Sequence, residues 1–399
     1  MKALLVKLLA AYRNAALFML KLRGKTPQNV AEERIVSGAA WNEFCDTLKA
    51  AGGVLMFPGA PRDAFNQAEG YRYLTRLVRA GLEAFIESAD PRAPVLLRLC
   101  NETVKLGSDN PDNYYQNAVI SGEYEYRIVG TRGTVHYLGF GVQKGQYGQA
   151  GGMQTTGYVD ASTLHIEPDG SFELILSRTQ PAGNRNWLPL EAESSAVIVR
   201  QTFGDRVNER IAELRIERIG GDGLPSPVTA EAIEKGLNTA STFVAGASFL
   251  FAKWGRDFQK EENMLTLFDP AAATAAGGDP NIRYYHNYWR LAPDEALVID
   301  VTPPECDAWN FQLDNHWLES LDYRYYQIHV NQHTAKRRGD GSVRVVVAHR
   351  DPGPGLDNCN WINTVGHDCG VMTWRWIRAK AHPTPQARVV KLAEVKTLP

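Results

Sequence analysis

Asp169-Gly170-Ser171-Phe172-Glu173-Leu174-Ile175-Leu176 and Asp340-Gly341-Ser342-Val343-Arg344-Val345-Val346-Val347 align without a gap, and their reading decides the fold. Each opens on Asp-Gly, a tight-turn dipeptide. Apolar residues then fall at every second position, Phe172, Leu174 and Leu176 in one and Val343, Val345 and Val347 in the other. That alternation predicts a strand with one buried face. Each run ends at a proline, Pro181 or Pro352, and a loop with Gly and Asn leads on to Asn186-Trp187-Leu188 or Asn360-Trp361-Ile362. A later β-like run carries an arginine at the same place, Val199-Arg200 against Trp374-Arg375. Upstream, Tyr114-Tyr115-Gln116-Asn117 matches Tyr284-Tyr285-His286-Asn287, and Tyr124 to Val129 answers Ala296 to Val301. Features kept in the same order twice predict an internal duplication.

Outside the repeats the periodicity is helical. Thr26-Pro27 predicts a helix start, with Thr at the cap and Pro at the first position. That helix is expected to run through Trp41 and Leu48 to Gly52-Gly53. A second, about 67–87, carries Tyr71, Leu74, Leu77, Val78, Leu82 and Phe85 at helical spacing, and a third, from Pro225 to about Gln259, has Ile233, Leu237, Val244, Phe251 and Trp254 as its stripe. The expected class is α+β, mainly β: two jelly-roll-like β-sandwich repeats with N-terminal helices and a long connecting helix. The boundaries read 1–93 helical, 94–222 first repeat, 223–280 connector and 281–399 second repeat. A single large sandwich built from both repeats is the alternative.

Composition narrows the function classes. The chain has 399 residues, 44% apolar and 22% charged, which is ordinary for a folded protein. A net charge of −2 argues against a general nucleic-acid binder, which needs a basic face to neutralise phosphates. Five scattered cysteines fit reduced thiols in a cytoplasmic protein. At the N-terminus Lys2, Lys7, Arg13 and Lys21 share one arc of a helical wheel, with Leu4, Leu5, Leu8, Leu9, Tyr12, Ala16, Met19 and Leu22 on the other. The apolar runs are too short to span a bilayer. Residues 1–25 are therefore expected to lie on an anionic surface, peripheral to the inner membrane, or to dock on their own domain or a second copy of the chain.

Several short motifs carry a family resemblance. Asn186-Trp187-Leu188-Pro189 with Arg200 behind it, Ser320-Leu321-Asp322-Tyr323-Arg324, His349-Arg350-Asp351-Pro352-Gly353, Asn360-Trp361 and Arg375 resemble the bacterial family of domain of unknown function 1214. Asp109-Asn110-Pro111-Asp112 is similar to the start of the β region in these proteins and in the related family 1254. The resemblance covers roughly 100–395 and implies a β-sandwich architecture and a bacterial source. It implies no reaction.

The chemistry is therefore read from side chains. There is no phosphate-binding loop, no Gly-x-Gly-x-x-Gly after a strand and no Gly-x-Ser-x-Gly elbow, so neither nicotinamide, flavin nor nucleotide is expected. His329-x3-His333 is the nearest metal pair, with Asp314, His316 or His349 to complete it. Yet four-residue spacing suits a helix and this stretch reads as strand and loop, so no metal or other cofactor is expected. Acid–base work fits better. His349 ends the central strand of the second repeat, where the first repeat has Arg178, and His367 sits on the next loop. Either is the expected proton carrier, with Asp322 as its orienter and Arg324 holding an anionic oxygen. Trp317 and Tyr323 are expected to form the apolar wall, and Asp314, His316 and Asn360 to touch a small-molecule substrate. The expected function is a cofactor-independent acid–base enzyme of the hydrolase or lyase type. The alternative is a non-catalytic protein that binds a glycan or lipid, told apart by an open aromatic groove in place of converging titratable groups.

Overall fold

The computed structural model describes residues 24, 26–149, 152–183, 185–354 and 358–398. The amphipathic helix expected of the first 23 residues, with its membrane or partner contact, lies outside the described residues. Helix α1 (Pro27–Val36) starts at the expected cap, where Thr26 accepts the Asn29 N–H. The single helix expected to reach Gly52 is in fact two, because Gly38 takes a φ of 77° and α2 (Ala39–Ala51) begins after it. Glycine enters that left-handed region at no steric cost, so it is the natural break point. Helix α3 (Ala64–Leu82) is capped by Asp63.

Eight strands follow: β1 (Asn113–Val119), β2 (Tyr126–Thr131), β3 (Tyr137–Gly145), β4 (Met153–Asp160), β5 (Ser171–Ser177), β6 (Trp187–Pro189), β7 (Ser194–Thr202) and β8 (Glu213–Arg218). Helix α4 (Ala230–Phe258), a short β9 (Thr266–Leu267) and α5 (Pro270–Ala275) lead to the second set. This comprises β10 (Ile282–Arg290), β11 (Glu295–Val301), β12 (Ala308–Asp314), β13 (His329–Asn331), β14 (Val343–Ala348), β15 (Cys359–Asn363), β16 (Cys369–Ile377) and β17 (Gln386–Lys391).

The first set forms sheets ordered β1-β7-β3-β4 and β6-β5-β2-β8. The second repeats them as β10-β16-β12-β13, with β9 added at one edge, and β15-β14-β11-β17. A parallel pair recurs too, β5 with β6 and β14 with β15. Each repeat closes over its own core. Leu138, Phe140, Val197 and Val199 of one sheet meet Ile128, Leu174 and Leu176 of the other in the first. In the second, Trp309, Phe311, Trp374 and Trp376 meet Leu297, Val345 and Val347. The architecture is two duplicated sandwiches, not one large one.

The duplication extends to single side chains. Asn186 accepts the His165 N–H and donates to the carbonyls of His165 and Glu173. Asn360 does the same with the Lys336 N–H and the carbonyls of Lys336 and Arg344. Trp187 and Trp361 donate to the ends of the preceding strands, at Ser177 O and Ala348 O. Asn360, expected to touch substrate, is thus a clamp between backbone segments with a twin in the other repeat. Strand pairing also shifts one match by a residue: Tyr115 lies opposite Arg200 and Tyr284 opposite Arg375, so these two tyrosines correspond.

Helix α4 braces the assembly. Its Val244, Ala247, Phe251 and Ala252 pack on Tyr73 and Leu77 of α3 and on Trp317 and Val371 of the second repeat. Ile233 and Trp254, expected in the buried stripe, are only half-buried at its margins. No helix among the described residues is long and apolar enough to cross a membrane.

Candidate functional site

The residues expected to converge have other partners. His349 is half-buried and engages Thr364 Oγ1 at 2.9 Å through Nδ1 and Leu291 O at 3.3 Å through Nε2. Both ring nitrogens tie the end of β14 to neighbouring loops, so Asp322 does not orient this ring. Asp322 instead holds Arg324 two residues on, at 2.7 and 2.9 Å, in a surface pair that lowers the carboxyl's pKa. Their i, i+2 spacing in a turn makes the local ion pair the nearest partner for each. His367 is 4% exposed, donates from Nδ1 to Thr364 O, and meets Phe65 of α3 edge-on at 4.7 Å. Its Nε2 is buried with no partner among the described residues.

The expected wall is packing too. Trp317 is fully buried, donates its indole N–H to Asn66 O and stacks on Tyr73, locking α3 onto the second repeat. His316 shares a 2.9 Å hydrogen bond with Tyr288, and burial holds its pKa down at about 3, so it is neutral at pH 7. Tyr323 is half-buried beneath the Lys105 ammonium, 4.6 Å from the ring centre. Of the nine residues, Asp314 is the one the fold places in a dense polar centre.

That centre is a seam where the outer faces of the two sandwiches meet. Alternation along β12 sends Trp309, Phe311 and Leu313 into the core and Asn310, Gln312 and Asp314 the other way. On β16 Trp374 and Trp376 point in while Thr373 and Arg375 point out, and on β10 Tyr284 and His286 join them. Such a polar face would ordinarily meet water. Here the segment leading into β1 bonds to it through Ser108, Asp109, Asn110 and Asp112, and Asn310, Gln312, Asp314, Thr373 and Arg375 are all at most 3% exposed.

The two repeats hold each other by matching bonds. Arg375 donates from Nη2 to Ser108 O, just ahead of β1, and Arg200 donates from Nη2 to Gly277 O at 2.6 Å, just ahead of β10. Asn110 N–H is received by the Tyr115 hydroxyl at 3.0 Å, and Asp279 N–H by the Tyr284 hydroxyl at 3.3 Å. Beyond this shared frame the halves differ. Register places Asn310, Gln312, Asp314, Thr373 and His286 where the first repeat has Gly139, Gly141, Gln143, Ile198 and Asn117. Only the second repeat builds a row of titratable and polar groups on this frame.

In that row Gln312 Nε2 donates to Asp314 Oδ1 and to Asp109 O, and Thr373 Oγ1 lies 3.2 Å from Asp314 Oδ2. His286 Nδ1 lies 2.9 Å from the same Thr373 hydroxyl. Arg375 Nη1 donates to the side-chain oxygens of Gln312 and Asn310. Burial pushes Asp314 up to about 7, with Asp109 adding to the push. His286, stacked between Phe258 and Tyr284, is held by burial and Arg375 down at about 3. Deeper still, Lys105 donates to Ser320 O and Leu321 O while burial lowers its pKa, and Asp109, raised by burial, accepts from the Ser320 N–H and hydroxyl. Left-handed backbone at Ser108 and Leu318, φ 57° and 56°, stores strain beside this cluster.

Sequence reasoning missed Arg375 as a site residue, and with it Thr373, Gln312 and His286. The signal was Trp374-Arg375-Trp376, a cation between two large apolar side chains in mid-strand. Among the described residues no group of three or more His, Cys, Asp or Glu side chains is arranged to hold a metal ion. A groove of about 850 Å³ on the helical layer, lined by Ala39, Ala50, Val54 and Phe249, has Phe249 as its one aromatic residue.

Comparison with known proteins agrees with the duplicated frame. The model of the family described as "Protein of unknown function (DUF1214)" matches residues 149–202 and 295–381, one segment in each sandwich. The crystal structure of an uncharacterized protein from Burkholderia cenocepacia superposes with a TM-score of 0.88 at 48% identity, over 91% of this chain and 99% of its own. A protein from Vibrio parahaemolyticus lies further off, at 11% identity and a TM-score of 0.47 over 81% of this chain and 98% of its own. The search of curated proteins gave no match. With its two matched segments and a solved relative nearly half identical along almost the whole length, the chain belongs to the DUF1214 family.

Proposed function

We propose that the protein is a cofactor-independent acid–base enzyme acting on a small organic substrate in the seam, with Asp314 as its proton carrier. The observation that supports this is the row Asp314–Thr373–His286, which bridges three strands of one sheet. When Asp314 is ionised, Thr373 donates to it and receives the His286 Nδ1 proton. When Asp314 is protonated, both bonds reverse and His286 changes tautomer. A carboxyl near pH 7 at the end of such a row can give or take a proton without leaving a buried group unpaired. Arg375, bonded to uncharged oxygens rather than to a carboxylate, is the cation suited to a substrate carbonyl or carboxylate oxygen. Proton transfer beside a polarised carbonyl serves hydrolysis and elimination alike, which keeps the reading to a hydrolase or lyase. Seams between domains are a usual place for small-molecule sites. The cytoplasm is the compartment that five unpaired thiols support.

The test is an untargeted one. Wild-type protein, Asp314→Asn and His349→Gln are each incubated with a bacterial metabolite extract at pH 7 and followed by mass spectrometry. Metabolites consumed by wild type and by His349→Gln should persist with Asp314→Asn, at a rate roughly 100-fold lower or more. Equal consumption by a folded Asp314→Asn variant refutes the role of Asp314.

A further inference from the structure

The first-repeat side of the seam presents donors that lack acceptors. Arg200 is 7% exposed, and its Nη1 is buried with no partner among the described residues. The comparison with Arg375 explains why. Arg375 Nη1 is received by Asn310 and Gln312, and the positions equivalent to those two are Gly139 and Gly141, which offer no side-chain oxygen. The Tyr158 ring covers both glycines, but its hydroxyl is shared with Tyr137 and Asp279. Tyr115 and Tyr284, both within electrostatic reach of Arg200, each accept a backbone N–H. Each hydroxyl hydrogen then needs an acceptor of its own, and no such bond is formed among the described residues.

Charge points the same way. Asp279 offsets one guanidinium, and its Oδ2 already receives the two phenols of Tyr137 and Tyr158. Of the carboxyls within electrostatic reach of Arg375, burial raises Asp109 and pushes Asp314 up to about 7, so Asp314 is only partly ionised near neutral pH and compensates the second cation incompletely. Buried donors and unbalanced positive charge are costly unless something accepts them. We propose that the Arg200 side of the seam is a site for a small singly charged anion, received by Arg200 Nη1 and the hydroxyl hydrogens of Tyr115 and Tyr284. The site stands whether or not Asp314 does chemistry, because it rests on other residues.

A halide and a small carboxylate share the required chemistry, and the experiment separates them. The full chain is exchanged into sodium gluconate, whose six-carbon anion is far larger than a halide, formate or acetate. Urea unfolding is then followed while chloride, bromide, formate or acetate replaces gluconate at constant ionic strength. A native-state site predicts saturable stabilisation that grows with the logarithm of anion concentration. Tyr115→Phe and Tyr284→Phe keep the rings and remove the hydroxyl donors, so each should raise the half-saturating concentration by roughly tenfold, the scale of one hydrogen bond to a charged group. Response to halides and carboxylates alike assigns a general monovalent-anion site, and response to carboxylates alone assigns an organic acid. Bromide-soaked crystals should show anomalous density within hydrogen-bond distance of Arg200 Nη1. Stability independent of the anion, or a water bridging Nη1 to the unpartnered Gln143 Oε1 in those crystals, overturns the proposal.

Discussion

Replacing Asp314 by Asn tests the electrostatics of the seam without any substrate. Burial moves this carboxyl from an ordinary 3.8 up to about 7 in the folded chain. The sign follows directly. As pH rises past the ordinary value, the unfolded chain releases its proton while the folded one keeps it. Stability therefore falls with rising pH until the folded carboxyl also ionises, and the contribution is fully present only below the unfolded pKa. At about 1.4 kcal/mol for each pH unit between those two values, the loss comes to about 4 kcal/mol. Asparagine has the shape and hydrogen-bonding capacity of the protonated acid but cannot ionise. The stability of Asp314→Asn relative to wild type should therefore rise by about 4 kcal/mol between pH 4 and pH 8. Urea unfolding of both proteins at several pH values measures this difference, and other titrating groups cancel from it. A difference that stays flat would show Asp314 unperturbed. One that falls with pH would show it ionised and paired, and either result refutes the reading.

Three further outcomes are expected. Asn186→Ala and Asn360→Ala should each cost about 2–4 kcal/mol in urea unfolding, because each removes three hydrogen bonds to backbone groups, most of them part-buried. His349→Gln should lower stability by about 1–2 kcal/mol through the bonds to Thr364 and Leu291, and leave turnover per folded molecule unchanged. Gly70→Ala should destabilise by about 1–3 kcal/mol, since a Cβ there would sit 2.5 Å from Leu55 and 2.7 Å from the Trp317 ring. A thermal scan in which Gly70→Ala matches wild type would show that α3 docks more loosely than this contact implies.

The sandwiches were legible because their signals are local and come twice. Asp-Gly turns, period-two apolar runs and Asn-Trp steps each have a short-range cause, and their shared order exposed the repeat. The seam was not legible, for an equally physical reason. Asn310, Gln312 and Asp314 alternate with core residues as the solvent side of any half-buried strand would. Nothing within one strand tells whether water or another domain covers that side. Asp322 with Arg324 and the lone His349 stood out instead because unusual residues at strand ends attract notice, yet their partners lie within the same turn or on adjacent loops. Asp314 was recognised as a polar contact but not as an acid, because its raised pKa comes from the first repeat closing over it. The break at Gly38 was hidden for the opposite reason, since a glycine inside an apolar-periodic helix reads as tolerated.

The reciprocal arginine bonds have a further consequence. Arg200 reaches the turn before the second repeat and Arg375 the turn before the first, which is the pattern of an isologous contact, where the same patch serves both partners. A surface that pairs with its own copy needs no covalent link to do so. The arrangement fits an ancestor of one sandwich that assembled as a symmetric dimer, with gene fusion later freeing one half to change its side chains. The joint left by such a fusion would be the exposed stretch 222–229 ahead of α4. A chain cleaved there has every contact of the seam available in trans, so its two fragments, made separately and mixed, should find each other.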